Sequence, residues 1–432
     1  MSETSNHSVG PVLAKERIQS IDTLRGVALL GILLLNIIAF ALPLASYFNP
    51  AVDGSTEGIN LATYMTIEVI AEGSMRALFS MLFGAGLLLF INKPNADPAW
   101  VKSLFYRRTG YLILFGLVNA YIFVWFGDIL FVYGIAGLLL YFFRNLSAQR
   151  LAAYAITILV LLSLLHTGAQ YSARSIRTEV VAVEALPAGT ALTPAQEETL
   201  QQWDEFLSNQ FSSPEQIAAD IAMRKSDYLT IVIGTAKINI LIQTLGLIAG
   251  GLWDAMAMML LGMAFMKWGL FDASRTNRFY AGLMSVGFAV GMTVNYLEVR
   301  VFVDSGFEIY WAASNRPSYE FGRLCVAIGY IGLVMLLCKS GLLLWLQSAL
   351  AAVGRIALTN YLAQSVICNT IFMGFGFGLV AELERYQIYY VVFGVWVFQL
   401  IFSSVWLKYY RFGPAEWLWR SLTYKEKQML RR

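Results

Sequence analysis

Ile21-Asp22-Thr23-Leu24-Arg25-Gly26-Val27-Ala28-Leu29-Leu30-Gly31-Ile32-Leu33-Leu34-Leu35-Asn36-Ile37-Ile38-Ala39-Phe40 decides the fold class. From Gly26 to Ala45 this stretch holds no charged side chain. About 20 apolar residues is the length of helix that crosses the hydrocarbon core of a bilayer. Further apolar runs follow near 70–91, 110–127, 129–143, 151–168, 229–251, 253–271, 279–298, 322–338, 356–378 and 387–409, with a short one at 342–353. The expectation is an all-α, polytopic integral membrane protein with about 10–12 transmembrane helices. Composition agrees: 58% of the 432 residues are hydrophobic and 14% charged, against about 25% charged in a soluble chain.

Charge placement gives the orientation. Lys15, Arg17 and Arg25 precede the first run, and the loop 46–69 holds acids without Lys or Arg. Basic loops stay inside, so the N-terminus is expected in the cytoplasm and the protein in a bacterial cytoplasmic membrane. Lys93, Lys102, Arg107 and Arg108 mark the next inner loop, and Arg144 and Arg150 another. The first apolar run is read as a retained helix, since no small-residue cleavage site follows it. Eleven crossings would leave the basic 408–432 tail outside, so either 342–353 also crosses or one adjacent run does not. Arg275 and Arg278 fit the second option better.

Three regions are expected: N-terminal membrane helices (1–168), an extracytoplasmic helical insertion (169–228), and a C-terminal membrane domain with a cytoplasmic tail (229–432). The insertion carries two helix starts, Thr193-Pro194-Ala195-Gln196 and Ser213-Pro214-Glu215-Gln216. Each pairs an N-cap hydroxyl with Pro at the first helical position and Gln three residues on.

Several chemistries are excluded or unsupported. The net charge of +3 with scattered basic residues argues against nucleic acid as a partner. Cys325, Cys338 and Cys368 have no metal-ligand spacing, and His7 and His166 lie apart, so no metal site or His-based triad is expected. The glycine-rich Phe83-Gly84-Ala85-Gly86 and Gly374-Phe375-Gly376-Phe377-Gly378 follow no strand and read as close helix packing rather than phosphate loops.

Polar groups at membrane depth are the site candidates, because an ionisable side chain there costs a few kcal/mol and faces protein or a water-filled cavity. Arg25 and Asn36 share one face of the first helix about 16 Å apart, with Asp22 on the same side. Their alternative reading is as interfacial anchors and an interhelical hydrogen bonder. Glu72 and Arg76, four residues apart, read as a pair that is structural or functional. Asp128, in Trp125-Phe126-Gly127-Asp128, reads either as a cap of the next helix or as a base. Arg355, Asn360 and Gln364 lie in Gly354–Ser365, where the two amides one turn apart serve as helix glue or contact a substrate. The ending Arg411–Arg420 combines Arg with interfacial Trp and reads as a surface anchor.

Four motifs together resemble the YeiB-type family of bacterial membrane proteins, whose C-terminal half is the domain of unknown function 418. They are Ile21–Gly26 followed by Asn36, then Trp125-Phe126-Gly127-Asp128-Ile129-Leu130, then Gly354 through Gln364, and Phe412-Gly413-Pro414-Ala415-Glu416-Trp417-Leu418-Trp419-Arg420. That family is itself similar, mainly in its first helices, to membrane acyltransferases such as the acyltransferase-three family and the lysosomal heparan glucosaminide acetyltransferase. The resemblance implies transfer of an acyl group from cytoplasmic acyl-CoA, as co-substrate rather than tightly bound cofactor, to a cell-envelope glycan or lipid acceptor. In that reading Arg25 attracts the donor phosphates and Asn36 holds the acyl carbonyl. Asn36 stands where the acyltransferase-three signature has His, and since Asn cannot act as a general base, Glu72 or Asp128 would supply one. The competing expectation is a transporter or lipid-binding protein in which the same polar stripe lines a path. Membrane lipids are expected partners under either reading, and both admit a homodimer.

Overall fold

The computed structural model describes residues 18–91, 97–187, 189–210, 213–308 and 317–432. Lys15, Arg17 and Lys93, used above for orientation, and His7 lie outside these residues. The described chain is helical: α1 (Gln19–Ala41), α2 (Gly58–Ile70), α3 (Ser74–Ile91), α4 (Pro98–Tyr121), α5 (Leu130–Leu140), α6 (Ala148–Glu184), α7 (Pro194–Gln210), α8 (Pro214–Arg224), α9 (Tyr228–Leu241), α10 (Leu252–Lys267), α11 (Asn277–Asp304), α12 (Tyr319–Ser340), α13 (Leu344–Arg355), α14 (Ala357–Phe372), α15 (Ile388–Tyr409) and α16 (Pro414–Tyr424). No strand occurs among the described residues, and seven helical stretches are long and apolar enough to cross a membrane. The protein is therefore an all-α polytopic membrane protein.

α1 is the mast of the bundle. In its most apolar window 78% of the residues are buried in protein, against 28% for α6, α11 and α15, so α1 meets protein where the others meet lipid. It packs against α3, α12, α13, α14 and α15. Pro43 prevents its continuation, and the carbonyls left open at its end are closed by a side chain from α8. Arg224 donates to Ala39 O (2.8 Å), Phe40 O (2.5 Å) and Leu42 O (2.6 Å). A cation at a helix C-terminus also complements the helix dipole.

The runs 229–251 and 253–271, read above as separate, form one helix. α9 passes through a π-helical segment, Ile242–Gly251, directly into α10, giving a rod of about 60 Å by helical rise. No Pro or charged break separates the two runs; Gly246, Gly250 and Gly251 widen the turn instead of ending it. The insertion is helical as expected. Ser213 and Gln216 form the reciprocal capping box, and Thr193 and Gln196 make the same two bonds. α6 itself runs without interruption to Glu184, past the expected start of the insertion.

Small residues set the closest helix contacts. A Cβ on Gly84 would lie 2.0 Å from Met259 O, and one on Gly262 1.8 Å from Met81 O, so α3 and α10 touch backbone to backbone. Met256, Met258, Met259 and Met263 fill the core around this crossing. The second glycine-rich stretch differs from the expectation: Gly374, Gly376 and Gly378 lie in the turn after α14, where Gly374 N donates to Arg224 O (2.9 Å). Gly262→Val should destabilise the detergent-solubilised protein by about 1–3 kcal/mol or more through overpacking. Gly282→Ala, at a helical site with nothing within 4 Å of the added carbon, should leave the thermal unfolding midpoint no lower than in the wild type.

Candidate functional site

A small cavity of about 40 Å³ lies where α1 meets the break between α2 and α3, with room for a few water molecules. α1 contributes Ile32, Leu35 and Asn36, the 3₁₀ turn Leu44–Tyr47 contributes Tyr47, and the α2–α3 junction contributes Ala71, Glu72, Gly73, Met75 and Arg76. Ile129 closes it from the start of α5. Three of the candidate residues, Asn36, Glu72 and Arg76, are thus brought to one space. The Asn36 side chain makes no hydrogen bond to any described residue. Gly73 holds φ +64, a backbone state that favours glycine. A Cβ there would also lie 2.6 Å from both Tyr319 Oη and Arg323 Cδ, so the missing side chain admits these two groups.

Glu72 and Arg76 do not pair with each other as their spacing suggested. Both meet the Tyr319 hydroxyl, which donates to Glu72 Oε1 (2.8 Å) and accepts from Arg76 Nη2 (3.3 Å). Arg76 Nε faces Asp254 Oδ2 at 3.4 Å. Arg323, 1% exposed, pairs with both Asp254 and Glu320, and His166 Nδ1 lies 3.9 Å from Glu320 Oε1. Glu72 and Arg76 line the cavity, and behind them Asp254 and Glu320 share Arg76 and Arg323, with His166 beside Glu320. The sequence reading missed Asp254, Glu320 and Arg323 and set His166 aside. The available signal was an ionisable residue within or at the edge of an apolar run: Asp254 in 253–271, Glu320 and Arg323 at the start of 322–338.

The remaining candidates lie elsewhere and have structural partners. Asp128 caps α5, accepting from Phe131 N (2.8 Å) and from Asn119 Nδ2 (2.8 Å). Asn360 and Gln364 tie α14 to its neighbours. Asn360 Nδ2 donates to Ser403 Oγ (2.9 Å), Gln364 Nε2 to Gln399 Oε1 (3.1 Å), and Gln399 Nε2 back to Asn360 O (2.8 Å). Arg355 ends α13, away from the cavity lining. Asp22 and Arg25 pair at 3.2 Å near the start of α1. Among the described residues no group of three or more His, Cys, Asp or Glu is placed to hold a metal ion.

The four sequence motifs converge on α13 and α14. A Cβ on Gly354 would lie 1.9 Å from Asp22 O, and one on Gly26 2.1 Å from Leu350 O. Tyr361 Oη accepts from Trp125 Nε1 (3.2 Å) and Ile129 N (3.1 Å), and Trp125 stacks on Phe40. Glu416 accepts from Leu358 N (2.7 Å), Thr359 N (3.1 Å) and Thr359 Oγ1 (2.6 Å), closing the exposed start of α14.

This architecture defines a multi-pass membrane protein with an ion network inside its helical core. The chain belongs to the YeiB family: it is 32% identical over 414 residues, 94% of this chain and 96% of the relative, to the Escherichia coli (strain K12) "Uncharacterized protein YeiB". Residues 265–426 match the family described as "Protein of unknown function (DUF418)". The Bacillus subtilis (strain 168) "Uncharacterized protein YxaH" is 26% identical over 436 residues, and a Bacillus acidopullulyticus protein, "Uncharacterized 39.9 kDa protein in amylase 3'region", 25% over 433, each match covering 96% of both chains.

Removing Arg323 strands Glu320 and Asp254 without their closest cation. Arg323→Leu should therefore cost about 3–5 kcal/mol, measured by chemical or thermal unfolding in detergent, and adding Glu320→Gln should recover part of the loss. Asp128→Ala should cost about 1–2 kcal/mol as a lost cap by the same measurement.

Proposed function

We propose that the protein is a membrane acyltransferase of the bacterial cytoplasmic membrane, moving an acyl group from cytoplasmic acyl-CoA to a hydroxyl of a cell-envelope glycan or lipid. The observation that carries this reading is the cavity in which the unpaired Asn36 amide, the Glu72 carboxylate and the Arg76 guanidinium face one another. Glu72 takes the proton of the acceptor hydroxyl as its oxygen attacks the acyl carbon. The Asn36 amide and Arg76 donate to the oxyanion of the tetrahedral intermediate. Collapse breaks the carbon–sulfur bond, and the CoA thiolate takes up the proton held by Glu72. Arg25, about 16 Å along α1 from Asn36, attracts the donor phosphates. Asp128 is left to its cap, so Glu72 alone carries the base role.

The orientation follows the same reading. Counting Tyr228–Lys267 as one crossing leaves ten: α1, α2–α3, α4, α5, α6, Tyr228–Lys267, α11, α12, α13–α14 and α15. Both ends then lie inside, as do Arg275, Arg278 and the basic tail, in keeping with the bias of basic loops.

A second reading, a transporter or lipid-binding protein, is favoured by the ion network of Arg76, Asp254, Glu320 and Arg323. Ionisable groups inside a membrane bundle are common markers of ion and substrate paths. Purified protein given radiolabelled acyl-CoA and lipid-linked or polysaccharide acceptors should transfer label, and Glu72→Gln should lower the rate by about 100-fold or more. Absence of any acyl-CoA binding removes the first reading. Uptake into proteoliposomes tests the second, and transport that survives neutralisation of Glu72, Asp254 and Glu320 counts against it.

A further inference from the structure

We propose that Arg25, Arg108 and Arg420 form a binding site for a phosphate group at the Arg25 end of the bundle, on the seam between α4 and α16. The seam is a built contact. Trp419 Nε1 donates to Arg108 O (2.8 Å), and Arg107 Nη1 donates to Thr423 O (2.8 Å), so backbone atoms on both helices fix their relative position. Arg108 lies over two aromatic rings: its guanidinium carbon is 3.8 Å from the centre of the Trp419 ring and 5.2 Å from that of Phe90. Stacking engages the π faces of a guanidinium and leaves its edge donors for a planar or tetrahedral oxyanion. The Arg108 side chain donates to no described residue.

The neighbours add charge of the same sign. Arg25 and Arg420 both repel Arg108, and Arg25 lies beside Gly86 of α3, the helix that also carries Phe90, 3.7 Å from where a Cβ on that glycine would sit. Arg420 lies over the Phe412 ring, 4.5 Å from its centre. Asp22 pairs with Arg25 at 3.2 Å. Glu416 also attracts Arg108 while accepting from the first amides of α14, and so offsets part of the positive charge. Half-buried like charges held together by packing favour an anion, and the edge of Arg108 fits two oxygens of one phosphate.

The chemistry admits two sources, a soluble phosphate-bearing molecule such as CoA or the headgroup of an anionic phospholipid. The first source gives the donor end of the acyl-transfer reading its residues, and in that respect the inference rests on that reading. Phosphate binding itself does not require that any acyl group be transferred.

The test uses the full chain in phosphatidylcholine nanodiscs titrated with CoA, and in parallel native mass spectrometry of protein extracted from vesicles containing phosphatidylglycerol. Arg108→Gln and Arg420→Gln should each weaken binding at least tenfold, Arg108→Lys less, and Lys408→Gln, on the exposed end of α15, should change nothing. CoA binding lost in at least one Gln variant supports the site with a soluble ligand. Selective retention of phosphatidylglycerol lost in the same way supports it with a lipid. If the wild type binds neither, or both Gln variants match Lys408→Gln, the inference falls; should Arg108→Gln fail to fold, Arg420→Gln decides alone. Binding that is lost in the variants while no acyl transfer is detected leaves this site standing and removes the enzymatic reading.

Discussion

The rest of the molecule depends on the backbone contact between α1 and α13. Gly26 lies against Leu350 O and Gly354 against Asp22 O, each closer than a Cβ would allow. Without a hydrophobic driving force between helices in lipid, such contacts supply dispersion and exclude acyl chains. They place the Asp22–Arg25 end of α1 against α13 and fix the rotation of α1. That rotation in turn turns Asn36 toward the α2–α3 break. α14, which starts two residues after α13 ends, is then fastened by three separated segments: Glu416 at its first amides, Trp125 and Ile129 at Tyr361, and Gln399 and Ser403 along its length.

Inside this frame the polar groups divide by what holds them. The α14–α15 amides are tied together through their nitrogens, Asn360 to Ser403, Gln364 to Gln399 and Gln399 to Asn360 O, while Asn360 Oδ1 and Gln364 Oε1 are buried without a partner among the described residues. The cavity is different in kind. Asn36 has no partner among the described residues, and Glu72 and Arg76 at the wall connect through Tyr319 and Asp254 to the Arg323–Glu320–His166 group behind it. A bundle selected for stability alone gains little from such a network, since hydrophobic replacements are often as stable.

The fold class was legible because the signal is gross: apolar runs of spanning length, and hydroxyl-Pro-Gln helix starts that recur as real caps at Thr193 and Ser213. The merging of 229–251 with 253–271 was not legible, because glycine marks both a turn and a widened helix. The site was half legible. Asn36, Glu72 and Arg76 stood out as polar residues in apolar runs and do meet. Asp254, Glu320 and Arg323 carried the same mark but sat at run edges, where an anchor at the interface looks identical. Their convergence depends on Tyr319 entering over Gly73, a contact between residues 246 positions apart that no local pattern encodes.

The capping of α1 by Arg224 bears on how the chain is made. A nascent protein emerges from its N-terminus, so α1 enters the bilayer long before residue 224 is synthesised. Until then the carbonyls of Ala39, Phe40 and Leu42 have only water to satisfy them, and the end of α1 must stay in contact with the aqueous surface. α1 is therefore inserted well before it is locked, and its final depth is decided by a guanidinium translated some 180 residues later.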